Sequence, residues 1–325
     1  AAEAMIGSSG WPLNVVATPE GKPLFIGTYF ENEDWKSIIE RAAYLYEVDP
    51  KMVRNDADRL STSLNQREAS STENATRVLE VLDEKMLSSL DREFGGLNSE
   101  QKFPNAPLLH ALMDQSYYTD NTEMNEEIIQ ILEAMALGGT QDHLQGGFFR
   151  YSTDKQWEVP HFEKMLYDNA QLIGVYAKAA QKYDDRFFGE IAKNTADFVL
   201  KDFRMEDGGY AASFNAVSDS EEGKSYIFTV EELSEAGVSE QTISLFNITE
   251  EGNWEEGKNV LYTKPDQRND YLNWRNSADF SRLQELIAKR DQPEIDTKVL
   301  TGWNALLVSG LTELYRSSGE EQYLE

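Results

Sequence analysis

The sequence predicts a mainly α protein, a ring of helical hairpins that follows a short strand-turn-strand, and three observations predict it. Apolar residues recur at spacings of three and four in segment after segment beyond residue 76. Between pairs of these segments stand Gly-Gly-aromatic loops, at Phe94-Gly95-Gly96, Gly146-Gly147-Phe148-Phe149 and Gly208-Gly209-Tyr210. The loops follow no fixed period, which disfavours a solenoid and favours a closed ring with functional loops on one rim.

The first segment alternates strand, turn and strand: Leu13 to Ala17, then Thr18 to Pro23, then Leu24 to Gly27. Pro19 presets φ and Gly21 permits a positive φ, which is the chemistry of a turn. Two strands alone are marginal in water, and the chain starts at Ala1 rather than at Met, so the sequence reads as a fragment lacking the preceding part of a sheet. One helix is expected over Asp34 to Tyr46. A second opens at Asp49-Pro50, where Asp suits the N-cap and Pro the first helical position. It carries Val53, Ala57, Leu60 and Leu64 on one face. Gln66 to Asn74 is rich in Ser, Thr and Glu and marks a domain boundary. The helical set that follows is marked by Val78, Leu82, Met86 and Leu90, by Ile128, Ile131, Leu132 and Met135, and by Met165, Leu172, Tyr176 and Ala180. It continues with Phe188, Ile191, Phe198 and Val199, and ends with Leu306, Leu307 and Leu311.

Composition narrows the function classes. The 325 residues hold 58 acidic and 30 basic side chains, a formal charge of −28, and no cysteine. Phosphate neutralisation needs clustered Lys and Arg, so no nucleic-acid partner is expected. Disulfides, thiolate metal sites and dithiol redox chemistry are absent from these residues. No apolar run approaches the roughly 18 residues of a membrane span. No membrane partner and a cytoplasmic location are expected, and the acidic excess also suits a salt-rich cytoplasm.

The densest stretch for chemistry runs from Asp142 to Asn169 and holds two of the three histidines, His143 and His161. Pro160 is expected to open a helix that stacks His161, Lys164 and Asp168 on one face. Aromatic rings that cover the apolar face of a sugar, with carboxylates, Arg and Asn on its hydroxyls, make a small-molecule carbohydrate the expected ligand. No metal and no cofactor are expected, because no tight ligand motif is present. His110 lies in an apolar helix and reads as a core histidine. Asp219, Glu221 and Glu222 read as a solvated turn.

Gly10-Trp11-Pro12-Leu13-Asn14-Val15, Thr28-Tyr29-Phe30, Lys102-Phe103-Pro104, Asp142 to Leu172, Glu222-Gly223-Lys224, Gly257 to Leu261 and Lys298 to Asn304 resemble the spermatogenesis-associated protein 20 family, also known as thioredoxin domain-containing proteins. The resemblance implies the C-terminal half of a thioredoxin-like α/β domain over residues 1–66, a linker over 67–75, and a partial (α/α)6 toroid over 76–325, similar to N-acylglucosamine 2-epimerases and six-hairpin glycosidases. It implies truncation at both ends, a structural cis-proline at Pro12, and a Cys-x-x-Cys segment upstream of Ala1. Where the family carries Asp-Ala-Asp-Ser, this chain reads Asn215-Ala216-Val217-Ser218.

Acid-base isomerisation beside a carbonyl needs one group to take a proton and another to return it, and His143 and His161 are expected to do so. Arg150 and Lys164 would hold the enolate, while Trp157 and Tyr151 stack the ring. Glu163 and Asp168 complete the expected catalytic set. Asp142, Asp154, Tyr167, Trp303 and Asn304 complete the binding set. Glycoside hydrolysis through Asp154 and Glu163 is a variant. The alternative is a redox-linked or protein-binding role, with a protein partner at the thioredoxin-like domain and the barrel as a scaffold.

Overall fold

The computed structural model describes residues 2–6, 10, 12–65 and 75–324, and the chain divides into two units, Ala1–Asn74 and Ala75–Glu325. In the first unit, helix α1 (Ala2–Ile6) precedes the hairpin of β1 (Asn14–Ala17) and β2 (Pro23–Gly27). The strands are antiparallel, with Val15 opposite Ile26. Gly21 takes φ 80° at the turn, and its N–H donates to the Thr18 carbonyl at 2.9 Å. Helix α2 (Asn32–Val48) leads to α3 (Pro50–Asn65), and the Asp49 carboxylate accepts from the Met52 N–H at 2.9 Å, the expected cap. Helix α3 lies on β2, and Ile26, Val53 and Ala57 are buried. The expected linker over 67–75 lies, but for Ala75, outside the described residues, and so does Trp11, whose bond to Pro12 was the expected cis peptide.

The second unit is mainly helical. Helices α4 (Ala75–Ser88), α5 (Ala106–Thr119) and α6 (Thr122–Leu137) lead to the short strands β3 (Tyr151–Ser152), β4 (Pro160–His161) and β5 (Lys164–Met165). Then come α7 (Leu166–Tyr183), α8 (Arg186–Asp202) and strands β6 (Ser213–Phe214), β7 (Val217–Ser218) and β8 (Glu221–Glu222). Four shorter helices, α9 (Val230–Glu235), α10 (Glu240–Leu245), α11 (Arg268–Trp274) and α12 (Ala278–Ile287), precede β9 (Ile295–Asp296) and α13 (Thr301–Ser318).

Hairpins α5–α6 and α7–α8 turn by the same device. Asp120 and Asp184 take positive φ, and the next residue, Asn121 or Asp185, caps the second helix through its side chain. The first helices of successive hairpins lie side by side, α5 and α13 both packing on α7, while α8 backs α7. Helices α7 and α13 close to backbone contact at Gly174 and Gly310, where a Cβ on Gly310 would stand 2.1 Å from the Ala170 carbonyl. This is the arc of helical hairpins the sequence predicts. Its core holds the buried Leu132, Met135, Ile173, Tyr176, Phe188 and Val199.

The helix expected from Pro160 does not form. β4 pairs with β3, β5 pairs with β6, and the helix begins only at Leu166, whose N–H donates to the Ala212 carbonyl. Sheet partners take the backbone that a helix would need, overriding the signal of proline at a first helical position. Among the described residues, no helix is long and apolar enough to cross a membrane.

Candidate functional site

Two Gly-Gly loops are built alike. In each, an aspartate four residues before the glycine pair turns one carboxylate oxygen to the backbone N–H groups two and three residues on: Asp91 to Glu93 and Phe94, Asp142 to Leu144 and Gln145. The other oxygen accepts from a fully buried lysine at 2.6 Å, Lys102 on Asp91 and Lys164 on Asp142. Each ammonium also donates at 3.0 Å to the carbonyl of the first glycine, Gly95 or Gly146. The Lys164 ammonium stands 4.1 Å from the centre of the Phe198 ring. Burial lowers its pKa against the pull of Asp142. Asp142 and Lys164, expected to hold substrate, thus brace a loop. Trp157 does as well. It is fully buried, its indole N–H donates to the Phe94 and Gly95 carbonyls, and a Cβ on Gly96 would stand 2.8 Å from its ring.

Asparagines at the starts of α7 and α13 clamp the aromatic residues that follow the loops. Asn169 accepts from the Phe148 N–H at 2.6 Å and donates to the Phe148 carbonyl at 3.0 Å. Asn304 does the same to Tyr210, at 2.9 and 3.0 Å. Asn304 is therefore occupied within the protein. So is Asp154, whose carboxylate accepts from the N–H groups of Gln156, Glu158 and Val159 and shapes the loop between β3 and β4.

His143 is a core residue. It is buried, its Nε2 lies 3.0 Å from the Gly138 carbonyl and its Nδ1 3.3 Å from the Tyr271 hydroxyl, against the Phe246 and Tyr271 rings. Burial lowers its pKa to about 4, so it stays neutral. The core setting of His143 removes it from the acid-base pair expected with His161.

The extended run from Pro160 to Lys164 explains which side chains remain available. Strand alternation buries Pro160, Phe162 and Lys164 and sends His161 and Glu163 to the other face. There His161 Nδ1 lies 2.7 Å from Glu222 Oε1, and Nε2 lies 3.4 Å from Glu163 Oε2. Arg150 Nη1 donates to the same Glu163 oxygen at 2.8 Å. The imidazole stacks on Tyr151 at 5.0 Å, and Tyr151 stacks on Phe103. The Glu163 and Glu222 carboxylates raise the His161 pKa against the effect of burial. His161 and then Arg150 hold Glu163 down to about 2.

Asp168, in the first turn of α7, completes the cluster. Its Oδ2 is buried with no hydrogen-bond partner among the described residues, as is Arg150 Nε. Desolvation raises its pKa to about 7, against the opposing pull of Arg150 and Tyr167. Tyr167 meets Trp303 edge to face at 4.8 Å. The structure thus gathers Arg150, Tyr151, His161, Glu163, Tyr167, Asp168 and Trp303 at the starts of α7 and α13. Two titratable groups there can exchange protons: Asp168, raised to about 7, and the His161 imidazole, raised above its ordinary value by its two carboxylate neighbours.

Comparison with known proteins bears on the whole chain. Residues 1–66 match the thioredoxin family model Thioredox_DsbH, described as a protein of unknown function, DUF255. The chain is 30% identical to spermatogenesis-associated protein 20 of Mus musculus, over 98% of this chain and 47% of the mouse protein. For the Homo sapiens protein the identity is 31%, over 95% of this chain and 46% of that one. The chain is a homologue of spermatogenesis-associated protein 20. It spans about half the length of these relatives. A solved sugar epimerase from a ruminal bacterium is 16% identical, with a TM-score of 0.38, covering 75% of this chain and 80% of that one.

Against this spermatogenesis-associated protein 20 background, sequence reasoning missed Glu222, read as part of a solvated turn, and Phe103, which extends the aromatic stack. Both stand in motifs of the resemblance, Glu222-Gly223-Lys224 and Lys102-Phe103-Pro104. The Asp-to-Gly-Gly spacing shared by Asp91 and Asp142 was a further readable signal.

Proposed function

We propose that the helical unit binds a carbohydrate at the cluster around Arg150 and moves a proton on it, isomerising the sugar beside its carbonyl. The observation that carries this reading is that the Arg150–Glu163 ion pair lies against His161 through Glu163, while Asp168, whose carboxyl feels the Arg150 charge, keeps a buried oxygen without a hydrogen-bond partner among the described residues. Asp168, with its unpartnered oxygen, takes the proton from the carbon next to the carbonyl. A carboxylate with pKa near 7 is a better base than an ordinary one and is still ionised in good part. His161, whose charged form Glu163 and Glu222 favour, returns a proton to that carbon, and the Arg150 guanidinium stabilises the enolate oxygen between the two steps. Trp303 and Tyr167 offer aromatic surface to the ring.

Solvent exchange tests this directly. Aldoses incubated with the protein in D2O should take up deuterium at carbon 2, read by proton NMR, and both His161→Ala and Asp168→Asn should abolish uptake. Exchange that persists in both variants contradicts the assignment. A panel that never exchanges returns the weight to a protein-binding role for residues 1–66, where Val15, Ile39, Tyr44 and Val48 are exposed.

A further inference from the structure

The two glutamates of β8 have different fates. Strand alternation sends Glu221 to one face, where Lys258 neutralises it, and Glu222 to the other, where it meets His161. Of the two carboxylates that hold the imidazole, Glu222 is the more exposed, with 37% of its side chain accessible against 29% for Glu163.

The cluster at the start of α7 holds more carboxyls than cations. Among the described residues, Arg150 and His161 stand against Glu163, Glu222 and Asp168. Arg150 is paired with Glu163, so Glu222 has only the titratable imidazole, and Asp168 has only a guanidinium whose charge Glu163 already takes. With His161 and Asp168 both protonated the charges cancel. In every other combination of those two groups the cluster is negative.

Proton transfer needs Asp168 ionised and His161 protonated, a state with one uncompensated negative charge. Taking a proton from the sugar moves that charge from Asp168 to the enolate and leaves the total unchanged. A carboxylate or phosphoryl group on the same sugar would add a second negative charge beside it, with no further cation there to meet it. An uncharged sugar avoids this contact, and an ammonium group meets an excess of carboxylate.

We propose that this cluster accepts uncharged and amine-bearing sugars and turns away uronates and sugar phosphates, with Glu222 as the residue that sets the selection. Like charge placed against the wrong ligand is a general means of telling apart molecules of similar shape. The selection rests on the carbohydrate reading above and narrows it to a substrate class.

The test uses the whole chain in D2O with molar KCl, which screens the repulsion of the −28 surface more than that of partly buried groups. Deuterium uptake at carbon 2 is followed for glucose, glucosamine, glucuronate and glucose 6-phosphate, and for the corresponding mannose compounds. The kcat/KM of the uncharged and amino sugars should exceed that of the anions by about ten-fold or more. Glu222→Gln should narrow this ratio several-fold, and Glu222→Asp, which keeps the charge, should preserve it. A variant that merely slows every sugar leaves the ratio unmoved. Anionic sugars exchanging as fast as their uncharged counterparts, or a ratio unchanged in Glu222→Gln, overturns the proposal and leaves the carbohydrate reading standing. No exchange with any of these sugars overturns both.

Discussion

His161 Nδ1 lies 2.7 Å from Glu222 Oε1, across 61 positions of sequence. The contact joins β4 to β8, two short strands with different partners, and it orients the one histidine that faces the cluster at the start of α7. Gly223 follows Glu222 and seats the hairpin on Phe162: at φ 72° it packs where a Cβ would stand 2.4 Å from the Phe162 ring.

Removing that carboxylate should release the imidazole. In Glu222→Gln, the His161 titration midpoint should fall toward the ordinary value near 6.5, read by NMR against the two other histidines. An unchanged midpoint contradicts the geometry. Because the folded pKa of His161 is raised, its contribution to stability is fully present below the unfolded value and is lost as pH rises through the folded one. Glu163 behaves oppositely: its contribution is present above the ordinary 4.5 and is lost as pH falls toward about 2. Unfolding curves of His161→Gln and Glu163→Gln against wild type across pH should show these opposite trends.

The buried pair of Lys164 and Asp142 should matter to stability rather than to ligand. Lys164→Met leaves a buried carboxylate without its cation and should cost about 3–5 kcal/mol in urea unfolding, whereas Lys164→Met with Asp142→Leu should recover part of that loss. A Lys164→Met protein as stable as wild type contradicts the pairing.

The two asparagine clamps should rank by burial. Asn169→Ala and Asn304→Ala each strip a backbone N–H and carbonyl of their partners, at about 1–3 kcal/mol per buried unsatisfied group. Asn169 is fully buried and Asn304 only half-buried, so the Asn169 variant should melt lower. The reverse order contradicts this ranking.

A formal charge of −28 repels itself most at low ionic strength. Molar KCl should raise the melting temperature, and a flat response contradicts the expectation that this surface is tuned to salt.

The helices were legible because Ile128, Ile131, Leu132 and Met135 repeat at the helical period, and the first turn because Pro19 and Gly21 carry its chemistry. Residues 160–165 were not, since their extended form is dictated by the pairing with strand 151–152 and with strand 213–214, the latter remote in sequence. That one difference redistributed the site. With period two in place of 3.6, Lys164 enters the core while His161 and Glu163 turn outward. His143 and Trp157 misled for a related reason: a polar or aromatic side chain in a Gly-rich loop serves a ligand or the loop itself, and the choice depends on neighbours such as Tyr271 and Gly96. Asp168 Oδ2 and Arg150 Nε, without hydrogen-bond partners among the described residues, carry no mark in the sequence.

The most direct test of the carbohydrate reading is the change in melting temperature of the whole chain across a panel of mono- and disaccharides and amino sugars. A true ligand at about 100 times its dissociation constant adds some 2.7 kcal/mol to native stability. The account predicts a shift for at least one sugar that is lost in His161→Ala and kept in His143→Gln, whose imidazole lies in the core. No shift with any sugar, or a shift untouched by His161→Ala, would contradict it.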